Sequence, residues 1–199
     1  MIIILKKLLP KFKYHIFLVI IILKLKYKKE NIVQKWIEIL KKNDFIGVKK
    51  YIKSGGNVND ANDTGESVLA YAIRNRCDMD LLFLLVESGA DIYDFDDEGV
   101  SVFDMSVTYN NIDMVNFILE KGVDVNCTNR RSRFTPLMAA VSYGRIEIVK
   151  LLLKHGADQN ATDEKGFSSI DFARKMNKKS ILAILDYDEN GHKNKAYAR

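Results

Sequence analysis

The chain repeats itself, and this limits what it can fold into more than any other feature. Four short loops line up: Gly55-Gly56-Asn57-Val58-Asn59, Gly89-Ala90-Asp91-Ile92-Tyr93, Gly122-Val123-Asp124-Val125-Asn126 and Gly156-Ala157-Asp158-Gln159-Asn160. Their first glycines are 34, 33 and 34 residues apart. A second motif keeps step: Ser67-Val68-Leu69-Ala70-Tyr71-Ala72, Ser101-Val102-Phe103-Asp104-Met105-Ser106, Thr135-Pro136-Leu137-Met138-Ala139-Ala140 and Ser168-Ser169-Ile170-Asp171-Phe172-Ala173, with offsets of 34, 34 and 33. Two motifs sharing one register at this period mark an array of stacked supersecondary units.

Each unit has a mechanical logic. Ser67, Ser101, Thr135 and Ser168 stand where a helix N-cap is wanted, offering an oxygen to otherwise unpaired backbone N–H groups. Pro136 follows at a first helical position, where its missing N–H costs little. The second helix of each unit carries an apolar stripe: Leu81, Leu82, Leu84 and Leu85; then Ile112, Val115, Ile118 and Leu119; then Ile146, Ile148, Val149, Leu151 and Leu152. The glycine after it suits a left-handed helix stop. A pair of helices of this kind exposes apolar surface that only neighbouring pairs can cover.

The segment Phe134–Asn160 resembles the ankyrin-repeat consensus almost residue for residue, and the resemblance extends over roughly residues 34–186. It implies an all-α solenoid of about five helix–turn–helix units with β-turn fingers. These comprise an N-terminal capping unit over Trp36–Asn59, three internal units, and a C-terminal capping unit ending near Leu185. The domain division expected is a basic, apolar leader over 1–33, the repeat domain over 34–186 and a polar tail over 187–199. Departures from the family pattern are specific. Its motif histidine is replaced by Ala70, Asp104, Met138 and Asp171, which predicts a stability below the family ideal. One extra residue falls within Arg76–Asp80, Arg133 stands where a turn glycine is expected, and Tyr93 takes a loop position at which the family prefers asparagine.

Charge is unevenly placed. The net charge of +5 comes from eight lysines in the first 30 residues against Glu30 alone, which leaves the other 169 residues at −2. A body without a net basic footprint argues against nucleic-acid binding. In the leader, lysines flank an apolar run, Ile16–Leu23, far short of the roughly 20 residues of a membrane span. An uncleaved anchor or membrane-surface helix, an export signal without a small-residue cleavage site, and a segment of no function all remain open for residues 1–30. The expected location is cytoplasmic, with membrane contact through residues 1–30 as the variant, and the expected state is monomeric.

No catalytic constellation is present, so the chain is not expected to be an enzyme. His15, His155 and His192 are scattered, and His155 falls at a helix end where its role is structural. Cys77 and Cys127 are too few for a disulfide framework or metal site and are expected to be unpaired thiols. Asp94, Asp96, Asp97 and Glu98 lack EF-hand spacing and read as a solvated acidic finger. No metal is expected.

The predicted function is a protein–protein interaction module binding through the concave helical face and the fingers. Residues at equivalent places form ladders: Asn75, Tyr109, Tyr143 and Met176, and one position earlier Arg74, Thr108, Ser142 and Lys175. Stacked tyrosines on a polar face resemble a binding hot spot. The candidate partner-binding set is therefore Arg74, Asn75, Tyr109 and Tyr143, with the finger residues Arg130, Arg131, Arg133 and Phe134. The opposite charges of the two adjacent fingers either attract one another or orient a bipolar partner. An alternative comes from resemblance alone, to short bacterial ankyrin proteins, some of which support catalase and peroxide resistance by handling haem. That implies a catalase as partner and a haem-binding or haem-delivery role. One of Tyr71, Tyr93, Tyr109 and Tyr143 would then be the iron ligand, with the arginine finger facing propionates. A secreted effector acting on host proteins is a third reading, dependent on an export role for the leader.

Overall fold

The computed structural model describes residues 19–24 and 32–185. Most of the leader, the tail, and with them His15 and His192 lie outside the described residues. Helices α1 (32–41) and α2 (Phe45–Lys53) make the first unit. The second is α3 (Val68–Arg74) with α4 (Met79–Glu87), and the third α5 (Val102–Thr108) with α6 (Ile112–Glu120). The fourth is α7 (Pro136–Ser142) with α8 (Ile146–Lys154), and the fifth α9 (Ser169–Lys175) with α10 (Lys179–Leu182). The first helices α3, α5, α7 and α9 pack in a row, and the second helices α2 with α4, and α6, α8 and α10, form a layer behind them.

Local chemistry sets each boundary. Ser67, Ser101, Thr135 and Ser168 cap α3, α5, α7 and α9, each oxygen accepting the N–H three residues on. The turn between the two helices passes once per unit through the left-handed region, at Asn43 (φ 50°), Arg76 (57°), Asn110 (61°), Gly144 (69°) and Asn177 (53°). The same backbone event recurring five times counts five units. The extra residue of the second unit is taken up between α3 and α4, in the turn 75–78. Arg133 adopts φ 53° where Gly65, Gly99 and Gly166 adopt 77°, 78° and 81°, so its finger keeps the left-handed turn without the glycine, but not the antiparallel bridge that the other three make.

The core runs between the layers. Leu69, Ile73, Leu81, Leu82 and Leu85 continue into Met114, Ile118, Leu137, Met138 and Ile148, all fully buried. At the N-terminal end Trp36 plugs the stack; its Nε1–H donates to Asp60 Oδ2 (3.2 Å) and its ring meets Tyr51 edge to face. Of the apolar stripe expected on the second helices, Leu84 and Leu151 are half-buried, Ile112 and Ile146, the first residues of α6 and α8, are exposed, and the rest is buried. The buried Cys77 thiol donates to Leu40 O, and burial together with the Asp78 charge pushes its pKa up to about 11, leaving it unreactive. Cys127 is exposed and, like Cys77, unpaired. In the described part of the leader, residues 19–24 form a short helix whose Val19–Leu23 side chains are exposed, and no helix among the described residues is long and apolar enough to cross a membrane.

Neighbouring units are tied backbone to backbone. The Asp97 N–H donates to Thr64 O (3.0 Å) and the Glu164 N–H to Ser132 O (2.8 Å), joining the first finger to the second and the third to the fourth. Asn59 bridges to the second unit through Gly89 O and the Asp91 N–H, and Asn126 bridges to the fourth through Gly156 O and the Asp158 N–H. At the equivalent junction Tyr93 replaces the amide with a single hydroxyl bond to Lys121 O (3.3 Å). Between the second and third fingers the backbones touch at Gly99, where an added Cβ would lie 2.2 Å from Asn129 O, whereas a Cβ at Gly166 would meet open space. Gly166→Ala is therefore expected to cost about 1 kcal/mol of left-handed strain, and Gly99→Ala roughly 3 kcal/mol because overpacking is added. Urea unfolding of the two variants checks this, and equal losses would refute the close contact.

Candidate partner-binding face

The face under consideration is floored by the first helices and walled by the four fingers. Each unit contributes the residue just before its N-cap, the fourth residue after the cap, and the last helical residue. In the second unit these are Glu66, Tyr71 and Arg74, in the fifth Phe167, Phe172 and Lys175. The two ends of the face have different chemistry. At the N-terminal end the Arg74 guanidinium sets its Nε and Nη2 on the two Glu66 carboxylate oxygens (2.6 and 2.8 Å) and lies 4.7 Å over the Tyr71 ring. The hydrogen bonds to Glu66 chiefly raise the Arg74 pKa, fixing its charge. Asn62 donates to the same carboxylate, completing a neutral network. At the C-terminal end Phe172 stands edge to face with both Phe134 (5.2 Å) and Phe167 (6.2 Å), and Lys175 Nζ lies 5.5 Å from the Phe167 ring. These three half-buried rings with a cation above them form an aromatic patch.

The sequence-predicted residues fall into distinct places. Asn75, Tyr109, Tyr143 and Met176 are the C-caps of α3, α5, α7 and α9 and so form one row, with Tyr143 and Met176 exposed and Tyr109 half-buried. Asn75 donates to Tyr71 O, and the Arg145 guanidinium sits 5.8 Å from the Tyr143 ring while donating to Thr108 O at the end of α5. Tyr71 is buried beneath Arg74. Tyr93 bonds at the C-terminal end of α6, whereas Tyr109 stands at its N-terminal end. Nine residues of helix span about 13 Å, so Tyr93 and Tyr109 stand well apart. In the arginine finger Arg131 and Arg133 are exposed, with Arg133 Nη2 donating to Asp163 O (3.3 Å). Phe134 belongs to the aromatic patch.

Arg130 is turned inward. Its guanidinium lies 5.6 Å from the Phe134 ring and 3.3 Å from Asp104 Oδ1, with the Asp104 side chain 1% exposed. Asp104 occupies the place of the family histidine; its other oxygen accepts both the Ser101 N–H and the Ser101 hydroxyl, closing a capping box on α5. Asp171 does the same for Ser168, and Met138 Sδ accepts the Thr135 N–H. Ala70 has nothing to offer. Burial raises the Asp104 carboxyl above its usual range, and Arg130 and the Ser101 bonds pull it only partly back. The residues missed on this face, Phe167 and Phe172, carried a sequence signal in the columns one place before and four places after the N-cap, whereas Arg130, five places before Thr135, falls in neither column.

A carboxyl with a raised folded pKa binds its proton more tightly folded than unfolded, so its contribution to stability is present in acid and declines as pH rises through the folded value. Removing the neighbouring cation extends that decline. Arg130→Ala is accordingly expected to cost less at pH 5 than at pH 8, where the loss approaches about 3 kcal/mol, while Arg130→Ala/Asp104→Asn shows no such pH dependence. Denaturant unfolding at both pH values measures it, and a pH-independent cost for Arg130→Ala would exclude Asp104 as its partner.

The comparisons with known proteins agree with this geometry. The family described as Ankyrin repeats (3 copies) matches residues 38–129 and again 103–195. No curated protein matches the chain at a significant level. The two overlapping matches take in well over half of the chain and coincide with the stacked units, and the chain belongs to the ankyrin-repeat family.

Proposed function

We propose that the chain is a non-catalytic interaction module whose partner lies along the first-helix face, anchored on the Tyr109–Tyr143 row and bounded by the fingers. Ankyrin repeats serve protein–protein interaction, and the chain's membership of that family supports the general role. The observation that carries the specific reading is the C-cap row, where an exposed Tyr143 and a half-buried Tyr109 follow one another across adjacent helices. Their phenol rings give large contact area at small entropic cost, and Arg145 holds the Tyr143 side chain from behind. The exposed acids Asp97 and Glu98, on the finger that leads into α5, disfavour a nucleic-acid backbone.

Affinity capture from the native lysate with the full chain, compared with Tyr109→Ala/Tyr143→Ala, tests the reading. One protein is expected to bind wild type and to fall about tenfold or more in the variant, the loss of two anchor residues. Circular dichroism of both proteins establishes that the variant is folded. Equal recovery by a folded variant would remove the tyrosine row from the interface.

A further inference from the structure

The geometry points to a partner segment that is itself bipolar. It is an extended stretch with a basic end over the first two fingers, an apolar middle over the tyrosine row, and an acidic end over the aromatic patch of the last two units. This inference rests on the proposed use of the first-helix face and adds the chemistry and orientation of what lies there.

The charges of the face are segregated along the stack. Asp63 in the first finger and Asp97 and Glu98 in the second are exposed, and the nearest cation on that side, Arg74, is already paired to Glu66. Arg131 and Arg133 in the third finger, Lys165 in the fourth and Lys175 on α9 are exposed as well, with Glu164 as the one exposed acid among the described residues of those two fingers.

The two sets do not neutralise each other. Among the described residues no carboxylate lies within ion-pair distance of Arg131 or Arg133, although their finger follows the acidic one. Arg133 is instead drawn towards the fourth finger by Asp163 O, and the one arginine of the third finger that is paired with an acid, Arg130, is held by buried Asp104. Adjacent first helices stand about 10 Å apart, so the centres of the acidic and basic finger pairs are separated by roughly 20 Å. About six residues of extended chain cover that distance.

The floor matches the same division. The acidic end has the closed Glu66–Arg74 network, which leaves little for an anion. The basic end has Phe134, Phe167 and Phe172 beneath Lys175, a patch suited to an apolar residue followed by a carboxylate. Between them stand Tyr109 and Tyr143. A uniformly basic or uniformly acidic partner would meet repulsion at one end, which is how charge placement fixes orientation as well as encounter.

The test uses the full chain and fluorescein-labelled peptides of one composition: lysines at one end, Tyr-Leu-Phe in the middle and glutamates at the other, made in both chain directions, and a peptide with the same charges alternating. Fluorescence anisotropy at low salt is expected to show one block peptide binding about tenfold more tightly than the alternating one. Arg131→Glu/Arg133→Glu is expected to lose that advantage. If block and alternating peptides bind alike and both are lost with Tyr109→Ala/Tyr143→Ala, the face binds but the polarity is wrong, and this inference falls while the proposed function stands. No binding of either block peptide also overturns it, leaving the function to its own capture experiment.

Discussion

Every feature of this molecule depends on one constraint: a single helix pair cannot cover its own apolar surface. Leu82 and Leu85 on α4, or Val115 and Ile118 on α6, are buried because neighbouring units stand against them. Side-chain packing alone would leave the spacing between units soft. The backbone contacts at the fingers make it firm, since Gly99 against Asn129 and the Asp97 N–H on Thr64 O admit one separation. Residues one repeat apart in sequence therefore stand one helix spacing apart in space, about 8–10 Å. The binding face is a set of columns, and its chemistry is what each column contains.

The departures from the family pattern show how this chain varies its junctions while keeping that spacing. An asparagine at 59 or 126 ties two units through both its amide groups. Tyr93 keeps one bond in place of two and sends a large ring outward, so the junction between the second and third units holds with fewer polar ties. The buried carboxyl at 104 closes the cap of α5 and at the same time draws Arg130 down from the following finger. A residue whose first task is local thereby becomes a tie between units, at the cost of burying an ionisable group.

Much of this was legible in sequence. The period, the caps at Ser67, Ser101, Thr135 and Ser168 and the accommodation of the extra residue near Arg76 are local, and local chemistry determines them. Three things were not. Ile112 and Ile146 fit the apolar period yet are exposed, while Met114 and Ile148, two residues further on, are fully buried. Arg130 looked like its neighbours Arg131 and Arg133 but is withdrawn, since its fate depends on a carboxylate 26 residues away that periodicity does not relate to it. The patch of Phe134, Phe167 and Phe172 joins two fingers and a helix, and becomes visible once columns beyond the C-cap row are compared.

The acidic finger shows why a charged loop need not all be available for binding. Asp94 Oδ1 accepts its neighbour's N–H at Phe95, and Asp96 Oδ1 accepts those of Glu98 and Val100, so these two aspartates shape the loop. Asn62 and Asp163 make the same bonds in their own fingers, while in the third finger the Thr128 hydroxyl takes over part of that task. What remains for recognition in the second finger is Asp97 and Glu98, whose side chains are exposed. In the third it is Arg131 and Arg133, because Arg130 is held by Asp104. The opposition between neighbouring fingers is thus carried by two residues on each, placed on loops whose shape does not depend on their charge. Asp97, Glu98 and Arg131 are able to change sign without giving up a side-chain tie, whereas Arg133 would lose its bond to Asp163 O, so partner preference can vary on a largely unaltered frame.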